Sequence, residues 1–141
     1  MTNVSREPFR PAITCDADVT TMWRTLMQPL GWHTNRLHII LVEDDGRSLP
    51  HLVEVDEMPG ALTREDAVAV LHLLGHLLET GSAALMFARP GGATLTEADR
   101  SSCRELYAAA TDAGVRLELI HVGTDTAIVP APMDEVLPRS A

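Results

Sequence analysis

The segment that most restricts the fold is a run of seven residues, SAALMFA, at positions 82–88. It is apolar at both alternating sets of positions, which is typical of a strand covered on both faces at the centre of a sheet. A helical pattern lies on each side of it. Each pattern opens with a capping pair, Thr63 with Asp66 and Thr96 with Asp99. A strand between two such helices predicts an α/β sheet with helices packed on it.

The two long helices have distinct buried faces. The first, over about residues 63–80, is predicted to bury a stripe formed by Ala67, Val70, Leu71, Leu74, Leu77 and Leu78. Gly81 is expected at its C-terminal cap, and Gly114 at the end of the second helix. On the second helix Asp99 shares a face with Cys103, Leu106 and Ala110, so we expect its carboxylate to face the core.

The N-terminal half contributes one more helix and a hairpin. Residues 15–30 predict a short helix capped by Asp16 or Asp18, because apolar side chains recur there at helical spacing. Residues 36–60 predict a β-hairpin, since two apolar runs flank an Asp-Gly turn signal.

The C-terminal half completes a mixed sheet of about five strands. Residues 115–123 predict a strand that lies parallel to 82–88 after a right-handed crossover, and 126–131 predict a last short strand. The element order is therefore α-β-β-α-β-α-β-β. We expect one α/β domain over residues 16–130, preceded by an irregular arm at 1–15 and followed by a frayed tail at 131–141.

Composition excludes several classes of function. The net charge is −9, all eleven bases are Arg and there is no Lys, which rules out Schiff-base and P-loop lysine chemistry. The acidic balance and the five aromatic residues argue against nucleic-acid binding. No apolar run approaches the ~18 residues of a membrane span. A cytoplasmic, bacterial protein without a membrane partner is expected, and the Arg-rich, Lys-free composition indicates a GC-rich genome.

The loop between strand 82–88 and the second long helix is the leading candidate site. Arg89, Gly91 and Gly92 precede a helix N-terminus, where free backbone N–H groups favour an anion. Acidic side chains in the first helical turn oppose this, so the alternative is a turn followed by a helix cap.

Other reactive side chains offer weaker candidates. His72 and His76 lie four residues apart on one helix face, a spacing that can hold a metal ion with Glu79 nearby. The segment lacks the glutamate of a metalloprotease helix, so surface or interface histidines are expected. Cys15 and Cys103 match no zinc spacing, and no residue has the setting of a hydrolytic nucleophile.

The element order and the stretch ALMFARPGGATLTEAD at 84–99 resemble the RadC-like branch of the JAMM (MPN) metalloprotease fold. Family members have a hairpin, a helix, a strand ending in His-x-His-Pro, a glycine-bearing loop and Ser-x-x-Asp opening a helix. The resemblance covers about residues 36–130 and implies a JAMM/cytidine-deaminase-like sheet. The matching residues are Pro90, Gly92, Thr96 in place of the serine, and Asp99.

Two positions depart from this family pattern. Phe87 and Arg89 stand where the family has its zinc-binding histidines, and the interval from Arg89 to Thr96 is one residue shorter. Phenylalanine cannot bind zinc, and a guanidinium repels a cation. The resemblance therefore implies a member without catalytic zinc, in which an Arg89–Asp99 ion pair replaces the metal link. Glu54 is the candidate for the family's general base.

The expected function is a non-catalytic binding or scaffolding module that has a protein partner or self-associates and uses no cofactor. Its expected ligand-binding residues are Phe87, Arg89, Gly91, Gly92, Thr96 and Asp99. One alternative is an isopeptidase-like hydrolase whose rearranged metal site uses Asp99 and the histidines at positions 38, 51 and 121. Another is a small-anion-binding protein that uses the Arg89/Gly91 loop.

Overall fold

The computed structural model describes residues 11–28, 30–32, 34–78 and 80–136, without the side chains of Pro50 and Glu135. The chain is a mixed α/β fold, as predicted. Its elements are α1 (Asp16–Leu26), β1 (Arg36–Val42), β2 (Ser48–Val55), α2 (Arg64–Leu77), β3 (Ser82–Ala88), α3 (Glu97–Ala113), β4 (Arg116–Leu117), β5 (Ile120–Gly123), β6 (Ile128–Ala131) and α4 (Met133–Val136). Within these ranges, no helix has both the length and the apolarity to cross a membrane.

Strand β3 lies at the centre of a six-stranded mixed sheet of order β2-β1-β3-β5-β6, with β4 also paired to β3. It runs antiparallel to β1 and parallel to β4 and β5. All seven of its residues are buried. The central position and the parallel pairing predicted for residues 82–88 are thus confirmed.

The strand predicted over residues 115–123 is divided into β4 and β5 by a β-bulge. Ala83 pairs with Leu117 and Met86 pairs with His121, so the chain advances from 117 to 121 while β3 advances only from 83 to 86. The extra residue interrupts the ladder. The Tyr107 hydroxyl accepts a hydrogen bond from the Ile120 N–H at 2.9 Å, which satisfies a donor next to the bulge.

Helices cover both faces of the sheet. On one face, alternate residues of the strands pack against α2 and α3, among them Leu37, Ile39, Leu85, Phe87, Ile120 and Val122. On the other face, Ile40, Val42, Ala84 and Met86 pack against Val19, Met22 and Trp23 of α1. Because strand side chains alternate, neighbouring residues of β1, β3 and β5 belong to different layers.

The caps of the two long helices form as predicted. The Thr63 hydroxyl accepts the Asp66 N–H while the Asp66 carboxylate accepts the Thr63 N–H, and Thr96 and Asp99 form the same reciprocal pair on α3. Gly114 ends α3 in the left-handed conformation, with φ of 69°. Each of these bonds joins residues three apart, so the local pattern was sufficient to identify it.

The start of α1 differs from the prediction. Its N-cap is Cys15, whose side chain makes no capping bond, rather than Asp16 or Asp18. Asp18 instead accepts hydrogen bonds from the backbone N–H and the hydroxyl of Thr14, at 2.9 and 2.7 Å. The carboxylate thus reaches back past the cap and fixes the chain entering the helix. Proline ends a helix because it lacks a backbone N–H, so the sequence predicts a stop at Pro29, a residue that lies outside the described ones.

The end of α2 also differs. The helix stops at Leu77 with Leu78 as its C-cap, and Gly81 leads into β3 instead of capping the helix. Gly81 has φ of 89°, and a side chain there would collide with the carbonyl oxygen of Val42. Leu77 was predicted to be buried but is 44% exposed, whereas its neighbour Leu78 packs partly against the core.

The C-terminal segment packs against the rest of the domain over more residues than predicted. Residue 131 ends β6, and the short helix α4 follows where a frayed tail was expected. Val136 is buried, and its carbonyl accepts a hydrogen bond from the Arg104 Nε at 2.8 Å. This contact with α3 stabilises the segment. At the other end, Ile13 of the predicted irregular arm is buried and its N–H donates to the Gly46 carbonyl.

Candidate functional site

The candidate site lies at the loop that connects the end of β3 to the start of α3. Phe87 is near the end of β3, and Arg89 follows the strand with its backbone N–H bonded to the Gly123 carbonyl of β5. Asp99 is in the first turn of α3. The loop 90–96 spans the two, so residues ten positions apart in sequence face each other across it.

Arg89 and Asp99 form a bidentate ion pair. Nε of Arg89 lies 2.8 and 3.0 Å from the two carboxylate oxygens, and Nη2 lies 2.7 Å from Oδ2. The Asp99 side chain is only 1% exposed. The ion pair inferred from the family resemblance is therefore confirmed. It joins the end of the central strand to the start of the last long helix.

The guanidinium of Arg89 is almost fully used by the protein itself. Besides Asp99, it donates from Nη1 to the Pro90 carbonyl at 3.0 Å and from Nη2 to the Thr94 carbonyl at 3.1 Å. A guanidinium has five N–H groups, so these bonds leave one for any ligand. The loop thus wraps around the guanidinium, and the Arg89 side chain is poorly placed to bind an anion.

The charges of the pair stabilise each other. Burial alone would raise the pKa of Asp99, but the hydrogen bonds from Arg89 and from the Thr96 N–H outweigh it, and the pKa lies below its ordinary value. The hydrogen bond to Asp99 raises the pKa of Arg89. The Asp99 carboxylate therefore bonds to two groups, the Arg89 guanidinium and the Thr96 N–H at the helix cap.

Asp125, in the turn between β5 and β6, is a site residue that sequence reasoning missed. Its carboxylate accepts the Gly91 N–H at 2.9 Å and the Trp32 N–H at 3.3 Å, and its own N–H donates to the Gly91 carbonyl. Gly91 adopts φ of 110°, which favours glycine. A carboxylate at this N–H group opposes an anionic ligand there. No local pattern signals a contact between residues 34 positions apart.

The other predicted site residues are Phe87, Thr96 and Gly92. Phe87 is 1% exposed and belongs to the core between the sheet and the helices α2 and α3. The Thr96 hydroxyl is bonded to the Asp99 N–H. Gly92 has open space where a side chain would stand. The loop therefore brings Arg89, Asp99 and Gly91 together, whereas Phe87 points into the core.

The donor set at this site does not fit a catalytic zinc ion. Phe87 offers no lone pair, Arg89 carries a fixed positive charge, and Asp99 is one ligand where at least three protein ligands are needed. Across the described residues, no cluster of three or more His, Cys, Asp or Glu side chains is arranged to hold a metal.

Two of the strand histidines, His38 and His121, cannot join Asp99, and the third, His51, is exposed on the edge strand β2. His38 and His121 alternate with Leu37 and Ile120, which pack toward α2 and α3, so both imidazoles lie on the opposite, α1 side of the sheet. His121 Nε2 lies 2.6 Å from the Thr20 hydroxyl of α1, and burial lowers its pKa to about 4. A metal site combining these side chains with Asp99 would require ligands from two faces of one sheet.

His38 is a second feature that the sequence did not reveal. It is 2% exposed, and neither of its ring nitrogens has a hydrogen-bond partner among the described residues. Glu54 Oε1, from the candidate general base, lies 3.9 Å from His38 Nδ1, and the Trp32 ring lies 5.2 Å away between centroids. Burial lowers the pKa of His38, so the imidazole is neutral at pH 7.

His72 and His76 lie on the exposed face of α2. Their Nε2 atoms are 3.2 Å apart and their ring planes are nearly perpendicular, at 87°. Glu79, expected nearby, lies outside the described residues. His76 borders a cleft of about 560 Å³ between the end of α2 and the acidic turn of the β1–β2 hairpin. The predicted face sharing of the two histidines is confirmed.

Comparison with known proteins adds no family to this description. No protein-family model matches the chain, and no curated protein is significantly similar to it.

Proposed function

We propose that this chain is a JAMM/RadC-like domain that has lost its catalytic zinc and acts as a non-catalytic binding or scaffolding module. The observation that carries the proposal is the bidentate Arg89–Asp99 ion pair, with oxygen–nitrogen distances of 2.7 to 3.0 Å. The pair stands where the family resemblance expects a metal-bound link between strand and helix.

The topology supports the proposed kinship. A helix and a hairpin precede α2, the central strand, the loop and α3, and antiparallel β5 and β6 close the sheet. Pro90 and Gly92 lie in the loop after the strand, and Thr96 and Asp99 open the next helix as the family's Ser-x-x-Asp does. The mixed sheet with β3 at its centre agrees with a JAMM/cytidine-deaminase-like arrangement.

The chemistry of the site supports a non-catalytic role. A metalloprotease needs an ion with an open position that activates water, and a salt-bridged carboxylate beside a guanidinium offers no such centre. The pair also joins the two elements that zinc would join. Because inactive MPN domains commonly serve as assembly partners, the resemblance points to binding of another protein.

The first experiment tests the kinship by restoring the family's ligands. In a background with H72A and H76A, which removes the exposed histidine pair, the F87H/R89H variant should bind one zinc ion together with Asp99, whereas the parent should not. Zinc should raise the thermal midpoint of the variant, because a ligand that binds only the folded state stabilises it. Adding D99N should abolish both effects.

The single variants F87H and R89H control for the effect of each substitution on folding. A double variant that is folded by circular dichroism but binds no more zinc than F87H alone would show that the proposed correspondence of positions is wrong.

The second experiment tests the function itself. In an extract of its own cells, the tagged chain should elute at a mass above that of the purified chain run in the same buffer, as expected for a member of an assembly. Elution at the mass of the isolated chain would contradict the binding role. An amide hydrolase activity that a chelator or D99N removes would replace it with an enzymatic one.

A further inference from the structure

We propose that His72 and His76 form half of a zinc site and that a second copy of this chain supplies the other half, so that zinc bridges a two-fold symmetric dimer through α2. This surface is separate from the Arg89–Asp99 site and does not depend on the function proposed there. The argument rests on the geometry of the two imidazoles, on the number of ligands and on the character of the helix face.

The two imidazoles are spaced to bind one ion. Zinc binds imidazole nitrogen at about 2.0–2.1 Å, so two nitrogens at a tetrahedral angle lie about 3.3–3.4 Å apart. The Nε2 atoms of His72 and His76 are 3.2 Å apart. The ring centroids are 4.6 Å apart, which is short for two rings joined end to end through these atoms. The two Nε2 atoms share a hydrogen bond, and a zinc ion that binds both would take the place of the shared proton.

Within the described residues, one chain supplies only two of the four ligands. Structural zinc is bound by four protein ligands in a tetrahedron. The described part of the chain places no third His, Cys, Asp or Glu with this pair. A two-fold axis through the ion would supply an identical pair of histidines, since the same patch meets itself in such an interface.

The face of α2 around the two histidines is better suited to contact with a second copy of the chain than to exposure to water. Residues 67–78, AVAVLHLLGHLL, contain no charged side chain in a chain of net charge −9. Val68 is 53% exposed and Leu73 40% exposed on the two flanks of the histidine pair. Two chains that repel each other elsewhere can approach here, and apolar side chains beside the ion would be buried on contact.

The test uses the purified full-length chain, stripped of metal, in sedimentation velocity runs with increasing zinc. The expected result is a monomer without zinc, a dimer at one zinc ion per two chains, and return to monomer with a chelator. H72A and H76A should each abolish the dimer. H51A, which removes an exposed histidine of β2, should leave it intact.

The apolar flank is tested separately with L73E. Placing two carboxylates in the interface should raise the dimer dissociation constant in zinc by at least about tenfold. A chain that stays monomeric in stoichiometric zinc would overturn the proposal. So would a dimer that persists in both histidine variants, or one that forms equally well in chelator.

Discussion

Arg89 and Asp99 are joined through both carboxylate oxygens, and this pair fastens the end of β3 to the first turn of α3. Removing one partner leaves a buried charge without compensation. We expect R89A to lower the free energy of unfolding by about 3–5 kcal/mol, measured by urea denaturation. R89K should fall between R89A and the wild type, because an ammonium cannot pair with both oxygens in this geometry.

An exposed ion pair in the same chain provides the control. Arg64, whose side chain is 69% exposed, lies 3.5 Å from Glu105. R64A should cost less than about 1 kcal/mol, because solvent screens such pairs. A similar small loss in R89A would show that the Arg89–Asp99 pair does not stabilise the fold.

The Tyr107 hydroxyl joins α3 to two neighbouring strands. It accepts the Ile120 N–H at 2.9 Å and donates to the Ala131 carbonyl at 2.8 Å. In Y107F both buried groups lose their partner, and we expect a loss of about 2–3 kcal/mol. Hydrogen exchange should show the Ile120 amide exchanging faster. T111A, which removes another hydroxyl bond of α3, is the control and should cost about 1 kcal/mol or less.

Lowering the pH should destabilise the folded protein already at pH values well above the pKa of its carboxyl groups. Burial lowers the pKa of His121 to about 4, whereas the unfolded value is 6.5. The unfolded chain therefore binds the extra proton first, and stability falls as pH decreases from about 6.5 toward 4. This one group should remove about 2 kcal/mol between pH 7 and pH 5.

The variant H121Q isolates this effect, since it removes the titrating ring. Its thermal midpoint should depend less on pH between 7 and 5 than that of the wild type, and H51Q controls for the loss of an exposed imidazole. An equal pH dependence in H121Q and wild type would contradict the assignment. Below about pH 4, protonation of Asp99 adds a further loss, because its folded pKa is also depressed.

The two cysteines should differ sharply in reactivity. Cys15 is exposed, whereas Cys103 is buried in α3 and burial, with a smaller effect of the Asp99 charge, raises its pKa to about 12. The thiolate is the reactive form, so the native protein should show one fast thiol with a disulfide reagent and the denatured protein two. C15S should leave none in the native state. Fast reaction of Cys103 would mean that α3 opens readily.

Much of the secondary structure was predictable because its determinants are local. The Thr63–Asp66 and Thr96–Asp99 caps span three residues each, and the apolar run of β3 identifies a central strand by its composition. The stripe from Ala67 to Leu74 is buried as its helical spacing predicts. The predictions that were wrong concern the ends of elements. The exposure of Leu77 and the structure after Ala131 depend on which residues pack beside them.

The candidate site was only partly predictable. The Arg89–Asp99 pair was inferred from a resemblance, not from the spacing of the two residues. Asp125 was missed because its partners Gly91 and Trp32 are distant in sequence. The bulge before Ile120 was missed for a similar reason, since a hydroxyl of α3 supports it.

The amino-acid sequence by itself determined the alternation of helices and strands, the N-terminal caps of α2 and α3, and the absence of a zinc ligand at positions 87 and 89. These follow from side-chain chemistry and from hydrogen bonds between near neighbours. Only the tertiary structure decided which face of the sheet each histidine occupies, how Asp125 holds the loop and how completely Arg89 is bonded. Those features depend on strand register and on contacts across the sheet, and a one-residue shift in register would change them all.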